Sequence, residues 1–150
     1  MTKILILNGP NLNMLGTRQP EIYGQTKLMD IEAACQTLAK ELKMVAECAH
    51  SNYEGELVSL IQKASGKYDG IVLNAGGYSH TSIAIRDALA LFNGKIIEVH
   101  ISNIYKRESF RHTSILSAET DGIIIGLGKN SYNLAIRALS ELLSSKHSIA

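Results

Sequence analysis

Short apolar runs alternate with longer stretches of helical periodicity along this chain, and that alternation restricts the possible folds more than any other feature. Lys3 to Asn8 (KILILN) is a continuous apolar run stopped by Gly9-Pro10, the pattern of a strand buried on both faces. Between Thr26 and Met44, residues Leu28, Ile31, Cys35, Leu38 and Leu42 recur at three- and four-residue steps, which predicts a helix with Cys35 in the core. Val45 to His50 is a second strand. Ser51 and Glu54, three apart, have capping-box spacing and predict the start of a helix running to about Lys67. The alternation continues with a strand at Gly70 to Asn74, a helix at Thr81 to Phe92, strands at Lys95 to Ile101 and Gly122 to Ile125, and a helix near Asn133 to Leu143. The expectation is five βα units.

Strands separated by helices imply a parallel sheet, and right-handed crossovers place helices on both of its faces. The predicted fold class is therefore α/β, with a flavodoxin-like doubly wound five-stranded parallel sheet and three α/β/α layers. At 150 residues, with no linker, repeat or low-complexity tract, residues 1–150 are expected to form one domain, with Ser144 to Ala150 as a frayed tail. A hydrophobic share of 45% and a charged share of 19% suit a chain that buries a core. The formal net charge of +1 lacks the basic excess of a nucleic-acid binder. No apolar run approaches the roughly 20 residues of a membrane span, and none resembles a signal peptide, so a cytoplasmic location is expected and a membrane partner is not. Cys35 and Cys48 form neither a disulfide framework nor a zinc set.

Ligands of open α/β sheets bind beyond the carboxyl ends of the strands. The residues there are strongly polar. Asn8, Asn11, Asn13, Arg18 and Tyr23 follow the first strand, His50, Ser51 and Asn52 the second, and Asn74, Ser79 and His80 the third. The fourth contributes Glu98, His100, Ser102 and Asn103, and then Arg107, Arg111 and His112. Four of the five histidines thus fall on one edge. Two connections, Gly9 to Gln25 and Ser102 to Asp121, far exceed the usual length of about 4 to 6 residues, which marks them as functional.

Spacing excludes several familiar sites. A phosphate loop fails because Ile123 stands where the first glycine belongs, five before Gly128. The dinucleotide fingerprint fails at Ser131, and the nucleophile elbow fails because Thr81 follows Gly77-Tyr78-Ser79-His80. Asn8 and Asn74 replace the acids of a phosphoryl receiver. No close carboxylate-histidine motif supports metal binding by His80, His100 and His112. What is left is a neutral-to-cationic pocket suited to a small carboxylate. Arg111 can clamp a carboxylate or stand as a solvated loop charge, and Asn74 can bond hydroxyls.

Three blocks carry a resemblance that spans nearly the whole chain: NGPNLNMLGTRQPEIYG from Asn8 to Gly24, NAGGYSHTSIAIRDAL from Asn74 to Leu89, and EVHISNIYKRESFRH from Glu98 to His112. On them the chain resembles the type II 3-dehydroquinate dehydratases. One departure is visible, Ser131 before Tyr132, where that family usually has the last glycine of G-x-G-x-x-G-Y.

The resemblance implies a lyase that dehydrates 3-dehydroquinate to 3-dehydroshikimate through an enolate, in the shikimate or quinate pathway, with no metal or cofactor. It implies Tyr23 as the proton acceptor and Arg18 as the stabiliser of developing charge. A tyrosine of ordinary pKa is only about 0.1% ionised at pH 7, and a cation about 4 Å away supplies roughly 4 kcal/mol toward the phenolate. By the same resemblance His100 is the proton donor, oriented by Glu98 on the same strand face, and Asn11 holds a water at the enolate oxygen. Asn74, His80, Ile101, Ser102 and Arg111 are expected to bind substrate, Ile101 through its backbone. Asp87 is expected to reach a neighbouring subunit's site in a homododecamer, a tetramer of trimers. The rival reading is a non-catalytic flavodoxin-like module that binds a small carboxylate. An FMN carrier is disfavoured by a first loop without a Ser/Thr-rich cradle, and a Schiff-base mechanism by the lack of a site lysine.

Overall fold

The computed structural model describes residues 1–17, 21 and 25–144. Five strands, β1 (Thr2–Asn8), β2 (Met44–His50), β3 (Gly70–Asn74), β4 (Lys95–His100) and β5 (Gly122–Ile125), form one sheet in the order β2-β1-β3-β4-β5. Every pairing is parallel. Four α-helices are described: α1 (Leu28–Glu41), α2 (Glu54–Ala64), α3 (Ile83–Ala90) and α4 (Asn130–Leu142). The order and the flanking helices make a flavodoxin-like three-layer α/β/α fold, as the alternation predicts.

The two-residue period of a strand decides which helices each side chain meets. Ile4 and Ile6 of β1, Val72 of β3, and Ile97 and Val99 of β4 pack with Leu28, Ile31 and Cys35 of α1 and with Ile136 and Leu139 of α4. Leu5, Leu7, Ile71, Leu73 and Ile96 face the other way, against Leu57 and Ile61 of α2 and Ile85 and Leu89 of α3. Cys35 is fully buried, as its place in the helical stripe predicts. Burying a Leu or Ile side chain is worth about 1.5–3 kcal/mol, so the two apolar layers on either side of the sheet dominate its stability.

Two sequence expectations are corrected. The connection from β4 to β5 contains no α-helix, only short 3-10 turns at Ile104–Lys106, Ser109–Arg111 and Ser117–Glu119. Four βα units are therefore described, not five. Nor do Ser51 and Glu54 form a capping box. Ser51 Oγ accepts from the Tyr53 amide at 2.9 Å, ahead of the helix, while Glu54 Oε2 accepts from Ser82 Oγ at 2.5 Å. Ser82 in turn caps α3 by accepting from the Ile85 amide at 3.0 Å, so Glu54 ties two helix starts together. The expected frayed tail falls, beyond Ser144, on residues outside the described ones.

Candidate functional site

The strands end in a polar line. Asn8 is in register with His50 on β2 and with Asn74 on β3, while β4 continues to His100. Beyond β1, β3 and β4 lies a cavity of about 170 Å³. It borders the place where strand order reverses between β1 and β3, the usual ligand site of such sheets. Its floor is backbone packed on backbone. The Gly9 amide donates to the Asn74 carbonyl at 2.7 Å, and a Cβ on Gly9 would stand 2.7 Å from the carbonyl carbon of Ala75. Gly76, at φ +59°, brings the β3 loop so close to Pro10 that a Cβ would meet its carbonyl oxygen at 2.9 Å. Asn11 takes up a left-handed φ of 71° at the rim, and its amide donates to Asn52 Oδ1 at 2.9 Å.

Under this floor the side chains of Asn8 and Asn74 continue the face that α1 and α4 cover. Tyr132, fully buried on the first turn of α4, donates its hydroxyl to Asn8 Oδ1 at 2.5 Å and accepts from Asn74 Nδ2 at 2.9 Å. Its neighbour Ser131 is the departure noted in sequence. It has no positive φ, so this position does not need glycine; Gly126 and Gly128, at φ 88° and 61°, supply the left-handed turns before it. The Ser131 hydroxyl accepts from the Leu127 amide at 3.2 Å and donates to the His100 carbonyl at 3.4 Å. The serine thereby ties helix α4 to the end of β4.

Glu98 and His100 lie on the opposite face of the sheet, where the β4–β5 connection covers them. Both are buried, and His100 Nε2 lies 2.5 Å from Glu98 Oε2. The other carboxylate oxygen accepts from Ser117 Oγ at 2.7 Å. Burial pushes the Glu98 carboxyl up, but hydrogen bonds from His100, Ser114 and Ser117 prevail and hold it below the ordinary carboxylate range. The carboxylate thus fixes the ring orientation of His100, whose other edge is left toward the cavity it lines.

His80 stacks on His100 with ring centroids 6.3 Å apart, and its Nδ1–H donates to the Thr113 carbonyl at 2.9 Å. That bond leaves Nε2 as the acceptor of the neutral ring. Two arginines supply the positive charge of the cavity wall. Arg107 Nη1 approaches Ser102 Oγ at 3.4 Å. Arg111 lies over the Phe110 ring and donates from Nε to Glu108 Oε1 at 2.9 Å. His112 supports this wall by donating from Nε2 to the Arg107 carbonyl at 2.9 Å.

Of the residues singled out in sequence, Asn11, Asn74, His80 and His100 line the cavity, as do Ile101, Ser102 and Arg111. Ile101 is buried and its carbonyl accepts from the Gly128 amide at 3.0 Å. Glu98 stands behind His100 rather than in the wall. Asp87 is exposed on α3 and does not line the cavity of its own chain. Arg18 and Tyr23 fall outside the described residues. Sequence reasoning placed Arg107 on the polar edge without a role, although it lines the cavity as Arg111 does. It missed Tyr132 and Ser117. Among the described residues no group of three or more His, Cys, Asp or Glu is placed to hold a metal ion.

Comparison with known proteins identifies the family. The family model described as dehydroquinase class II matches residues 2–140. A 3-dehydroquinate dehydratase of Bartonella bacilliformis is 50% identical over 95% of this chain and 90% of its own length. A second relative, named 3-dehydroquinate dehydratase 2, from Agrobacterium fabrum, is 52% identical over 96% of this chain and 98% of its own. Among solved structures, a type II dehydroquinase from Butyrivibrio crossotus superposes with a TM-score of 0.90 at 45% identity, covering 92% of this chain and 97% of that one.

Proposed function

Because the chain belongs to the class II dehydroquinase family, we propose that the cavity beyond β1, β3 and β4 is where it carries out the family's reaction. The protein is a lyase that dehydrates 3-dehydroquinate to 3-dehydroshikimate through an enolate, a step of the shikimate pathway. Nothing favours the non-catalytic binding module over this enzyme.

The observation that carries the assignment of the site is the buried Glu98–His100 pair, with His100 lining a cavity edged by Arg107 and Arg111. In the proposed sequence, Tyr23 as phenolate removes the proton next to the ketone. Arg18 stabilises that phenolate and the developing negative charge. A water held by Asn11 hydrogen-bonds to the enolate oxygen. His100, oriented by Glu98, then gives a proton to the departing hydroxyl; the C–O bond breaks, the new C=C forms and water leaves. Asn74, His80, the Ile101 backbone, Ser102 and Arg111 hold the substrate, and Arg111 suits its carboxylate because a planar guanidinium binds it in two places. No metal or cofactor enters this sequence.

One catalytic domain spanning residues 1–150, a cytoplasmic location and a homododecamer built as a tetramer of trimers complete the proposal. Asp87 supports the assembly, being exposed and absent from its own chain's cavity wall while the resemblance assigns it to substrate. No described helix is long and apolar enough to cross a membrane.

The direct test is an ultraviolet assay of chelator-treated protein with 3-dehydroquinate, following the conjugated enone of the product. A rising absorbance unaffected by the chelator is expected. No signal from folded protein overturns the assignment.

A further inference from the structure

The network beneath the cavity contains a group the proposed chemistry does not use, the hydroxyl of Tyr132. Its two hydrogen bonds have a definite direction. The amide oxygen of Asn8 only accepts, so the phenol proton points to Asn8 and the phenol oxygen accepts from Asn74 Nδ2. On the other side of the same amide, the Gly76 N–H donates to Asn74 Oδ1 at 3.1 Å. Asn74 is thus held by two ties of opposite polarity. Turned over, its amide would set oxygen against the phenol oxygen and NH₂ against the Gly76 N–H. Asn74 is only 4% exposed, so water cannot relieve that mismatch. Burial pushes the Tyr132 phenol well above the ordinary tyrosine range, so it remains a neutral hydroxyl and does not act as a second base.

We propose that Tyr132 is a positioning residue that fixes the orientation of the Asn74 amide, so that Asn74 offers the cavity an N–H donor and selects a ligand oxygen that accepts there. This rests on the reading that Asn74 binds substrate. Tyr132 does not line the cavity and acts only through Asn74.

The test is steady-state kinetics on the wild-type enzyme, Tyr132→Phe, Asn74→Ala and the double variant, with circular dichroism to verify folding. Tyr132→Phe is expected to raise KM about fivefold, the range of one net hydrogen bond, and to leave kcat within about twofold. In the Asn74→Ala background the same change adds almost nothing, because the amide it orients is gone. A wild-type KM for Tyr132→Phe, or an equal effect in both backgrounds, overturns the proposal while leaving the role of Asn74 intact. An unchanged KM for Asn74→Ala overturns the substrate-binding reading and the proposal with it. If Tyr132→Phe does not fold, Asn8→Ala, which removes the acceptor that directs the phenol and does not touch the cavity wall, goes through the same cycle with the same criteria.

Discussion

Glu98 and His100, two residues apart on β4, project from one face of the sheet and meet at 2.5 Å, carboxylate oxygen to ring nitrogen. Both are buried, so the pair is shielded from the water and salt that weaken exposed ion pairs. Ser117 and Ser114, from the connection that follows β4, hydrogen-bond the same carboxylate and keep it anionic.

Replacing Glu98 with Gln tests this support. The amide can accept from Ser117 only by turning its NH₂ toward His100, which forces the facing ring nitrogen, Nε2, to accept rather than donate. Turnover is expected to fall by about 100-fold, the lower end of general acid contributions, with KM little changed. Steady-state kinetics at several pH values measures it, and near-normal kcat removes Glu98 from the proton-donor system.

The same carboxylate links stability to pH. Its folded-state pKa lies below the unfolded value of about 4.3, so as pH falls the unfolded chain takes up the proton first. Glu98 therefore contributes stability above that value and loses it as pH falls through the lower, folded one. Melting temperature is expected to rise with pH more steeply for the wild type than for Glu98→Gln as pH climbs toward and through the unfolded value of about 4.3. Parallel curves in thermal melts would contradict this.

Arg18→Ala and Tyr23→Phe are expected to keep the native circular dichroism spectrum while lowering kcat by at least about 100-fold each. A cation about 4 Å from a phenolate supplies roughly 4 kcal/mol, so loss of an arginine in that role accounts for a drop of this size. Near-normal turnover in the arginine variant would end its role as charge stabiliser.

Ser131→Gly places here the glycine that the resemblance implies. Here it deletes the acceptor of the Leu127 amide and a donor to the His100 carbonyl, and adds backbone freedom to the first turn of α4. A loss of about 1–2 kcal/mol is expected, measured by urea unfolding. An unchanged or higher midpoint would mean that the serine hydroxyl contributes nothing net.

Much of the fold was legible from local pattern. KILILN and GIVLN are strands because a run of apolar residues can be buried only where both faces are covered, and Cys35 is core because its neighbours recur at helical spacing. The capping box failed for the opposite reason. Its spacing was right, but Glu54 found Ser82, a partner 28 residues away. The count of five βα units failed because the pattern itself holds only four helices: Ser102 to Asp121, a long connection in the sequence, carries little helical periodicity and folds as 3-10 turns around the site. Within the site, the Glu98–His100 relation follows from the two-residue period of a strand.

The sequence by itself determined the alternation of strand and helix, the polar edge at the strand ends and the residue types assembled there, because these follow from periodicity and side-chain chemistry along the chain. Only the tertiary structure decided that Tyr132 would join Asn8 and Asn74, that Ser117 would hold Glu98, and that Asp87 would stay out of its own cavity. The Tyr132–Asn8 bond spans 124 residues of sequence, and a contact of that range exists only once packing has brought α4 under the ends of β1 and β3 and left a buried hydroxyl to find its partners there.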